Sequence, residues 1–381
     1  MKQFNIQFSR DDRVAIWGKG MFIEETVAYL ERVASVCCIA DSNQRGGYTL
    51  GKKMIPVVGP DEICNFSVTK AVISVSGAER FLLRRKLMEE GLAESDIFFA
   101  YELIPVLAWE LDQRLVIPTI GFFIGTPCSL KCRNCIAGVG EFVKNKNYCK
   151  DISEVRRDLK AFFGTFDYVK QISLSTGDHF LHPQLHLILD EIHQYQNQFD
   201  KVIFVLNAAT LPSAAVAEAM KKYQVQVLIS DYTENSQKCD IDRLVNRFEQ
   251  IDGIHYRVFR HLQGGTEDGE NLWSDIGNTR LERNRSSEES RRIFERCANR
   301  SSQCMHNMRL YGCGVAVWRE IGGLYQCTEN DFCALTESKE NILNFYLGMV
   351  QKGYYDVCTH CDGVGPEVNP VSIPAGVQME E

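Results

Sequence analysis

The 381-residue sequence has no low-complexity tract, no long run of lysine or arginine, and no apolar stretch long enough to cross a bilayer. Each absence excludes something. Without a basic run, and with a formal net charge of −8, the chain lacks the bulk electrostatics that nucleic acid or an anionic membrane surface would require. The longest apolar stretch, "VIPTIGFFIG" at 116–125, falls well short of the roughly 20 residues of a transmembrane helix. The opening "MKQFNIQFSRDD" carries charges where a signal peptide would need an apolar core. The expected setting is cytoplasmic, with a small molecule as partner rather than nucleic acid or a membrane.

What is present is a globular composition, 45% hydrophobic and 24% charged. The length suits about two or three domains, each with its own core. The chain also has 15 cysteines. In a reducing cytosol these are better explained by metal binding or catalysis than by disulfides. Three lie together in "TPCSLKCRNC" as Cys128, Cys132 and Cys135. A later set comprises Cys297, Cys304, Cys313, Cys327, Cys333, Cys358 and Cys361. Cys37 and Cys38, inside the apolar "ASVCCIAD", read as small core residues.

Residues 12–100 alternate strand-like and helix-like runs: "RVAIWGKG", "MFIEETVAYLERV", "SVCCIADSN", "KAVISVSG" and "AERFLLRRKLMEEGL". This order predicts βαβ units on a parallel sheet. The first turn supplies Gly18 and Gly20 of a dinucleotide fingerprint, but Ile23 stands in the third glycine's place, and Asp41 falls where a ribose contact would sit. A cofactor-free Rossmann-like module is the simpler reading, with NAD binding as the alternative. The stretch "GKGMF…IADSN…TLGKKMIPVVGPDEI…AVISVSG" resembles the small N-terminal domains of bacterial sugar acyltransferases and the tail domain of sugar C-methyltransferases. That resemblance implies a nucleotide-sugar or similar polar metabolite as ligand.

From 116 to about 262 the alternation is more regular. Strand-like "TIGFFIG", "VKQISLS", "KVIFVLN", "VQVLIS" and "HYRVFR" are separated by amphipathic helical segments. The series predicts a partly or wholly closed barrel, in which chemistry gathers at the strand C-terminal ends. From about 285 a helical segment leads into a Cys- and Gly-rich region whose core is too small without a staple such as a metal.

Cys128, Cys132 and Cys135 follow directly after the first strand of this series. Three thiolates hold three irons of a [4Fe–4S] cluster and leave the fourth open. Structural zinc normally takes four ligands, so a zinc site or three unconnected thiols is the competing reading. The C-x3-C-x2-C spacing after a first strand resembles the signature of the radical S-adenosylmethionine (SAM) superfamily. The resemblance implies that SAM chelates the open iron and is reductively cleaved to a 5′-deoxyadenosyl radical, which abstracts a substrate hydrogen. The electron donor it implies is a flavodoxin or ferredoxin. Thr176, Gly177 and Asp178 in "LSTGDHFLHP" match the family's cofactor-contacting "GGEP" stretch. Asn207 in "VLNAATLP" and Ser230 in "LISDY" match its later cofactor contacts. Asn134 departs from the usual aromatic before the last cysteine, and Asp178 shortens a glutamate. His179 and His182, beside the same stretch, read as packing or capping residues.

In the later set, Cys313 and Cys327 flank a Gly-Gly turn, and "YDVCTHCDG" supplies Cys358 and Cys361. Two pairs of thiolates complete the ligation of another cluster or of a zinc. Cys304 competes with Cys313 for the first position, while Cys297 and Cys333 read as bystanders. The arrangement resembles the shortened auxiliary-cluster (SPASM/twitch-like) domain of radical SAM dehydrogenases, which implies a second [4Fe–4S] cluster.

The expected chain is therefore α/β: a Rossmann-like domain at 1–110, a partial (β/α)6 radical SAM barrel at 111–285, and a Cys-rich auxiliary domain at 286–381. The expected reaction is oxidation or rearrangement of a carbohydrate-like, nucleotide-linked metabolite. Ribosomal-peptide maturation and a non-catalytic iron–sulfur or zinc protein are the alternatives.

Overall fold

The computed structural model describes residues 6–20, 22–75, 77, 79–260, 271–276 and 278–379. The chain divides into two compact units, Met1–Pro118 and Thr119–Glu381. Among the described residues no helix is long and apolar enough to cross a membrane.

The first unit contains β1 (Arg13–Trp17), α1 (Ile23–Leu30), β2 (Ser35–Ala40), β3 (Gly46–Leu50), β4 (Lys53–Val58), β5 (Lys70–Ile73), α2 (Glu79–Glu89), β6 (Ile97–Phe99) and α3 (Ala100–Asp112). Its sheet has the order β3-β4-β2-β1-β5-β6. All neighbours run parallel except β3, which forms an antiparallel hairpin with β4. Burial on both faces explains why β1 and β2 read as continuous apolar runs. Cys38 is buried within β2 as expected, and Cys37 packs against the same core.

The glycine turn has a packing reason of its own. A Cβ on Gly20 would lie 1.7 Å from the Ser74 carbonyl oxygen, so only glycine lets this turn approach the end of β5. The Asp41 carboxylate is engaged locally, accepting from the Asn43 and Gln44 amides at 2.8 and 3.0 Å. That is an Asx turn, which suits a short acidic side chain at a strand end.

The second unit carries the five-strand series β7 (Val116–Phe123), β8 (Tyr168–Ser175), β9 (Phe199–Leu206), β10 (Gln226–Ser230) and β11 (His255–Phe259). Between these strands lie α4 (Ile152–Thr165), α5 (Leu185–Ile192), α6 (Ala214–Lys222) and α7 (Ile241–Ile251). The strands β8, β9, β10 and β11 pair in parallel. The fold is mixed α/β with parallel strands, as the sequence predicts. The sheet is open among the described residues, in keeping with the expected partial (β/α)6 barrel. Among the described residues the series has five strands, and its sheet continues past β7 through a hairpin from the Cys-rich region.

After β12 (Leu272–Ser274) and α8 (Ser287–Arg296), the strands β13 (Cys304–His306), β14 (Arg309–Tyr311) and β15 (Phe332–Ala334) extend the order to β11-β10-β9-β8-β7-β13-β14-β15. The helices α9 (Gly314–Gly322) and α10 (Lys339–Tyr346) follow β14 and β15 in turn. The last strand, β16 (Ser372–Pro374), pairs antiparallel with β12.

A buried ionic contact anchors the Cys-rich hairpin. Helix α4 starts at an Asp151–Glu154 capping box and buries Val155, Leu159, Phe162 and Phe163 along one stripe. Asp158 lies on that stripe and pairs with Lys150, their side chains 3% and 1% exposed. Lys150 Nζ also donates to His306 Nδ1 at 3.1 Å. Burial and the Lys150 charge hold His306 at about 3, so its ring is neutral and able to accept. The carboxylate further accepts from the Asn307 and Met308 amides at 3.0 and 2.9 Å. Both residues have left-handed φ, 49° and 58°, the conformation of a two-residue type I′ hairpin loop. Asp158 thus fixes the β13–β14 turn as well as the ion pair. Asp158→Ala is expected to cost about 3–5 kcal/mol, because it leaves a buried ammonium unpaired. Urea unfolding at neutral pH measures this, and a loss below about 1 kcal/mol would contradict the account.

Candidate metal and cofactor site

The loop after β7 is held by backbone contacts. The Thr126 amide donates to Tyr148 O at 2.8 Å, and the Asp178 amide donates to Pro127 O at 2.7 Å. The latter bond draws the end of β8 against the cysteine loop. Gly177 makes this possible, since a Cβ there would lie 2.4 Å from Pro127 O and 2.8 Å from Cys128 Cβ. Asp178 is buried and accepts from Ser129 Oγ at 2.8 Å, Thr210 Oγ1 at 2.7 Å and the Phe180 amide at 3.3 Å. One carboxylate therefore ties together the cysteine loop, the end of β8 and the loop after β9.

Cys128, Cys132 and Cys135 gather in a small apolar cluster with Leu130, Cys239, Ala209, Tyr232 and Trp273. Burial raises the Cys128 thiol well above the ordinary range, and nearby Cys135, Asp178 and Cys132 add to it. Cys132 is pushed up to about 12 by burial and then by Cys135, against a hydrogen bond from Gln378. Two amides face the sulfurs: Gln378 Nε2 at 3.3 Å from Cys132 Sγ, and Asn207 Nδ2 at 3.8 Å from Cys128 Sγ. As the side chains stand, no group of three or more His, Cys, Asp or Glu among the described residues is drawn together closely enough for a metal ion. The donor set nonetheless fits a thiophilic metal. Burial and mutual repulsion oppose ionisation of these thiols, and a bound cation reverses that balance by deprotonating its ligands.

The other expected cofactor contacts surround the same loop. Asn207 and Asp178 meet the cysteine loop directly, as above. Thr176 Oγ1 is buried with no hydrogen-bond partner, an orphan that a bound polar ligand would satisfy. Ser230 is buried at the end of β10, with Tyr232 beside it. Asn134, in place of an aromatic, has φ 57° and donates its amide to Asp275. That left-handed backbone favours Asn over a bulky ring. His179 and His182 are buried packing residues: His179 Nε2 meets Leu174 O at 3.0 Å, its ring lies 4.5 Å from Phe204, and burial lowers it to about 4. His182 Nδ1 accepts from the Gln184 amide at 3.2 Å.

The second cysteine group has Cys297 beside the expected members. Cys313, Cys358 and Cys361 lie within electrostatic reach of one another and of Cys297, and Cys327 lies within reach of Cys313. Cys313 is raised by burial, then by Cys297 and Cys361. Cys358 is raised by burial, then by Cys313, Cys361 and Cys297. Cys327 Sγ donates toward Ala316 O, 3.6 Å away, and burial raises its thiol, with Glu320, Asp331 and Cys313 adding to the shift. The expected Gly-Gly turn is the end of α9, with Gly323 as its left-handed cap (φ 77°). Cys304 is buried on β13, against Gly121 of β7, and does not compete for the position.

Sequence reasoning missed two further residues. Gln378 lies 246 positions from its sulfur partner, a separation that leaves no local signal. Arg319 is 1% exposed; its Nε donates to Thr279 O at 2.5 Å, and its Nη1 has no partner. Burial lowers its affinity for the proton, while Cys135, Cys361 and Cys313 raise it, so this guanidinium senses both cysteine groups. In sequence it is an ordinary charged residue on an amphipathic helix.

No family model matches the chain, and no curated protein is similar enough to match it. Solved structures similar to it include BtrN in complex with AdoMet and 2-DOIA, at 11% identity and TM-score 0.37, covering 69% of this chain and 95% of that one. Another is Streptococcus suis SuiB bound to S-adenosylmethionine, at 17% identity and TM-score 0.32, covering 47% of this chain and 43% of that one. A third is anSMEcpe with bound AdoMet and Cp18Cys peptide, at 12% identity and TM-score 0.29, covering 37% and 42%. The chain spans less than half the length of the latter two. At these scores the likenesses carry no inference about its chemistry.

Gly177→Ala is expected to push the cysteine loop off the end of β8, at an overpacking cost of about 1–3 kcal/mol. In metal-free protein, Cys128 should then be alkylated by iodoacetamide faster than in wild type, as read by peptide mass spectrometry. An unchanged rate would contradict the close approach.

Proposed function

We propose that this chain is a radical SAM enzyme with its reactive [4Fe–4S] cluster on Cys128, Cys132 and Cys135. The observation that carries the reading is a cluster of three buried or half-buried thiols on the loop that follows β7, at the C-terminal end of the parallel strands, with Cys128 and Cys132 raised by burial. Their C-x3-C-x2-C spacing leaves one iron open, unlike a four-ligand structural site. When bound, the cluster and SAM supply a 5′-deoxyadenosyl radical that abstracts a hydrogen from the substrate.

The chain's own residues hold and shield. Asp178 clamps the cysteine loop to two strand ends through Ser129 and Thr210. Thr176 Oγ1 and the backbone at Gly177 receive the polar end of the cofactor, and Asn207 and Ser230 flank it on the next two strands. Tyr232 and Trp273, 5.2 Å apart edge to face, exclude water from the thiols.

A second cluster is proposed on Cys297, Cys313, Cys358 and Cys361, with the Arg319 guanidinium offsetting negative charge at both groups. These residues would hold a group able to supply electron-transfer chemistry, and the proposed reductant is a flavodoxin or ferredoxin. The substrate class is a carbohydrate-like metabolite, nucleotide-linked. The parallel sheet of the first unit favours this over a ribosomal peptide, whose enzymes would carry a winged-helix-like module there.

The test is anaerobic reconstitution of the wild type and the Cys128→Ala/Cys132→Ala/Cys135→Ala variant, with iron and zinc counted and 5′-deoxyadenosine assayed after addition of SAM and dithionite. About eight irons should fall to about four in the variant, with nucleoside production abolished. About four falling to none, with one zinc retained, would replace the second cluster by a zinc staple. No iron lost in the variant would overturn the assignment.

A further inference from the structure

Residues 371–379 form a strap over the cysteine loop. β16 pairs with β12, and the Ala375 amide then donates to Asn271 O at 2.8 Å, while Asn235 Nδ2 donates to Ala375 O at 2.9 Å. Gly376 turns with φ 78° against Tyr232, where a Cβ would come within 2.6 Å of the Tyr232 Cβ. The strap then runs antiparallel to the loop through a bridge between Cys132 and Gln378. The Arg133 amide donates to Val377 O at 2.7 Å, and the Met379 amide donates to Lys131 O at 2.8 Å.

The Gln378 side chain is fixed by three contacts. Its Oε1 accepts from the Lys131 amide at 3.0 Å, which sets the orientation of the carboxamide. Its Nε2 donates to Gly376 O at 2.6 Å and to Cys132 Sγ at 3.3 Å. Both donors and the acceptor are used, so the N–H toward sulfur is held by the loop it serves.

We propose that Gln378 is a positioning residue for the three-cysteine cluster, its amide stabilising the reduced state through the Cys132 sulfur. The inference rests on the radical SAM reading above. Hydrogen bonds to cluster sulfurs are among the determinants of reduction potential. Reduction adds negative charge to the cluster and its thiolates, and a donor to a charged acceptor is strengthened accordingly. Removing it makes reduction harder.

The test is an EPR-monitored reductive titration of anaerobically reconstituted full-length wild type, Gln378→Glu and Gln378→Leu. Glutamate keeps an acceptor for the Lys131 amide and loses the donor to sulfur; leucine loses both without adding charge. Both variants should lower the reduction equilibrium constant of the three-cysteine cluster by about tenfold, a shift of about 59 mV for one electron, with the second cluster unchanged. Selective loss of the first cluster's iron in either variant would also support the assignment. An unchanged potential, a shift confined to the glutamate variant, or equal loss of both clusters would overturn it. If the triple-cysteine variant loses no iron, the radical SAM reading itself fails, which is a separate result.

Discussion

The second unit depends on one electrostatic constraint: thiols buried in an apolar cluster resist ionisation. Burial dominates the upward shift at Cys128 and Cys132, and neighbouring sulfurs add to it. The same holds at Cys313 and Cys358. Backbone amides partly compensate, among them those of Gly363 to Cys361 Sγ and Val364 to Cys297 Sγ, each at 3.3 Å. Two amides reach sulfurs of the first group, and one buried guanidinium lies within electrostatic reach of both groups. Thiols held neutral in this way lose their protons most readily to a thiophilic cation, which is the basis of the proposed metal sites.

The surrounding fold serves to hold those thiols despite their mutual repulsion. A single carboxylate, Asp178, joins three segments that are distant in sequence. The Lys150–Asp158–His306 contact secures the β13–β14 hairpin to the sheet that carries the first cysteine loop. Asp178 and Asp158 are both buried, and each takes partners from more than one element. Loosening any of them would move sulfur positions as well as lower stability.

Much of this was legible in the sequence because the signals are local. Period-3.6 stripes mark α4 and α7, unbroken apolar runs mark β1 and β2, and the C-x3-C-x2-C loop follows β7 directly. The failures have physical causes. Helix α3 is buried nearly all round, so it lacks the polar face that reveals a helix by periodicity. Helix α9 begins with glycine and ends at Gly322–Gly323, which reads as a turn when its tertiary packing is unknown. Gln378 and Arg319 were invisible because long-range contacts alone give them their roles.

The most direct test of the central claim is Mössbauer spectroscopy of 57Fe-reconstituted protein with and without SAM. The account predicts that one iron of the three-cysteine cluster acquires distinct parameters when SAM binds, because that iron has no protein thiolate. Spectra that are identical with and without SAM, at concentrations where the cofactor is bound, would contradict it.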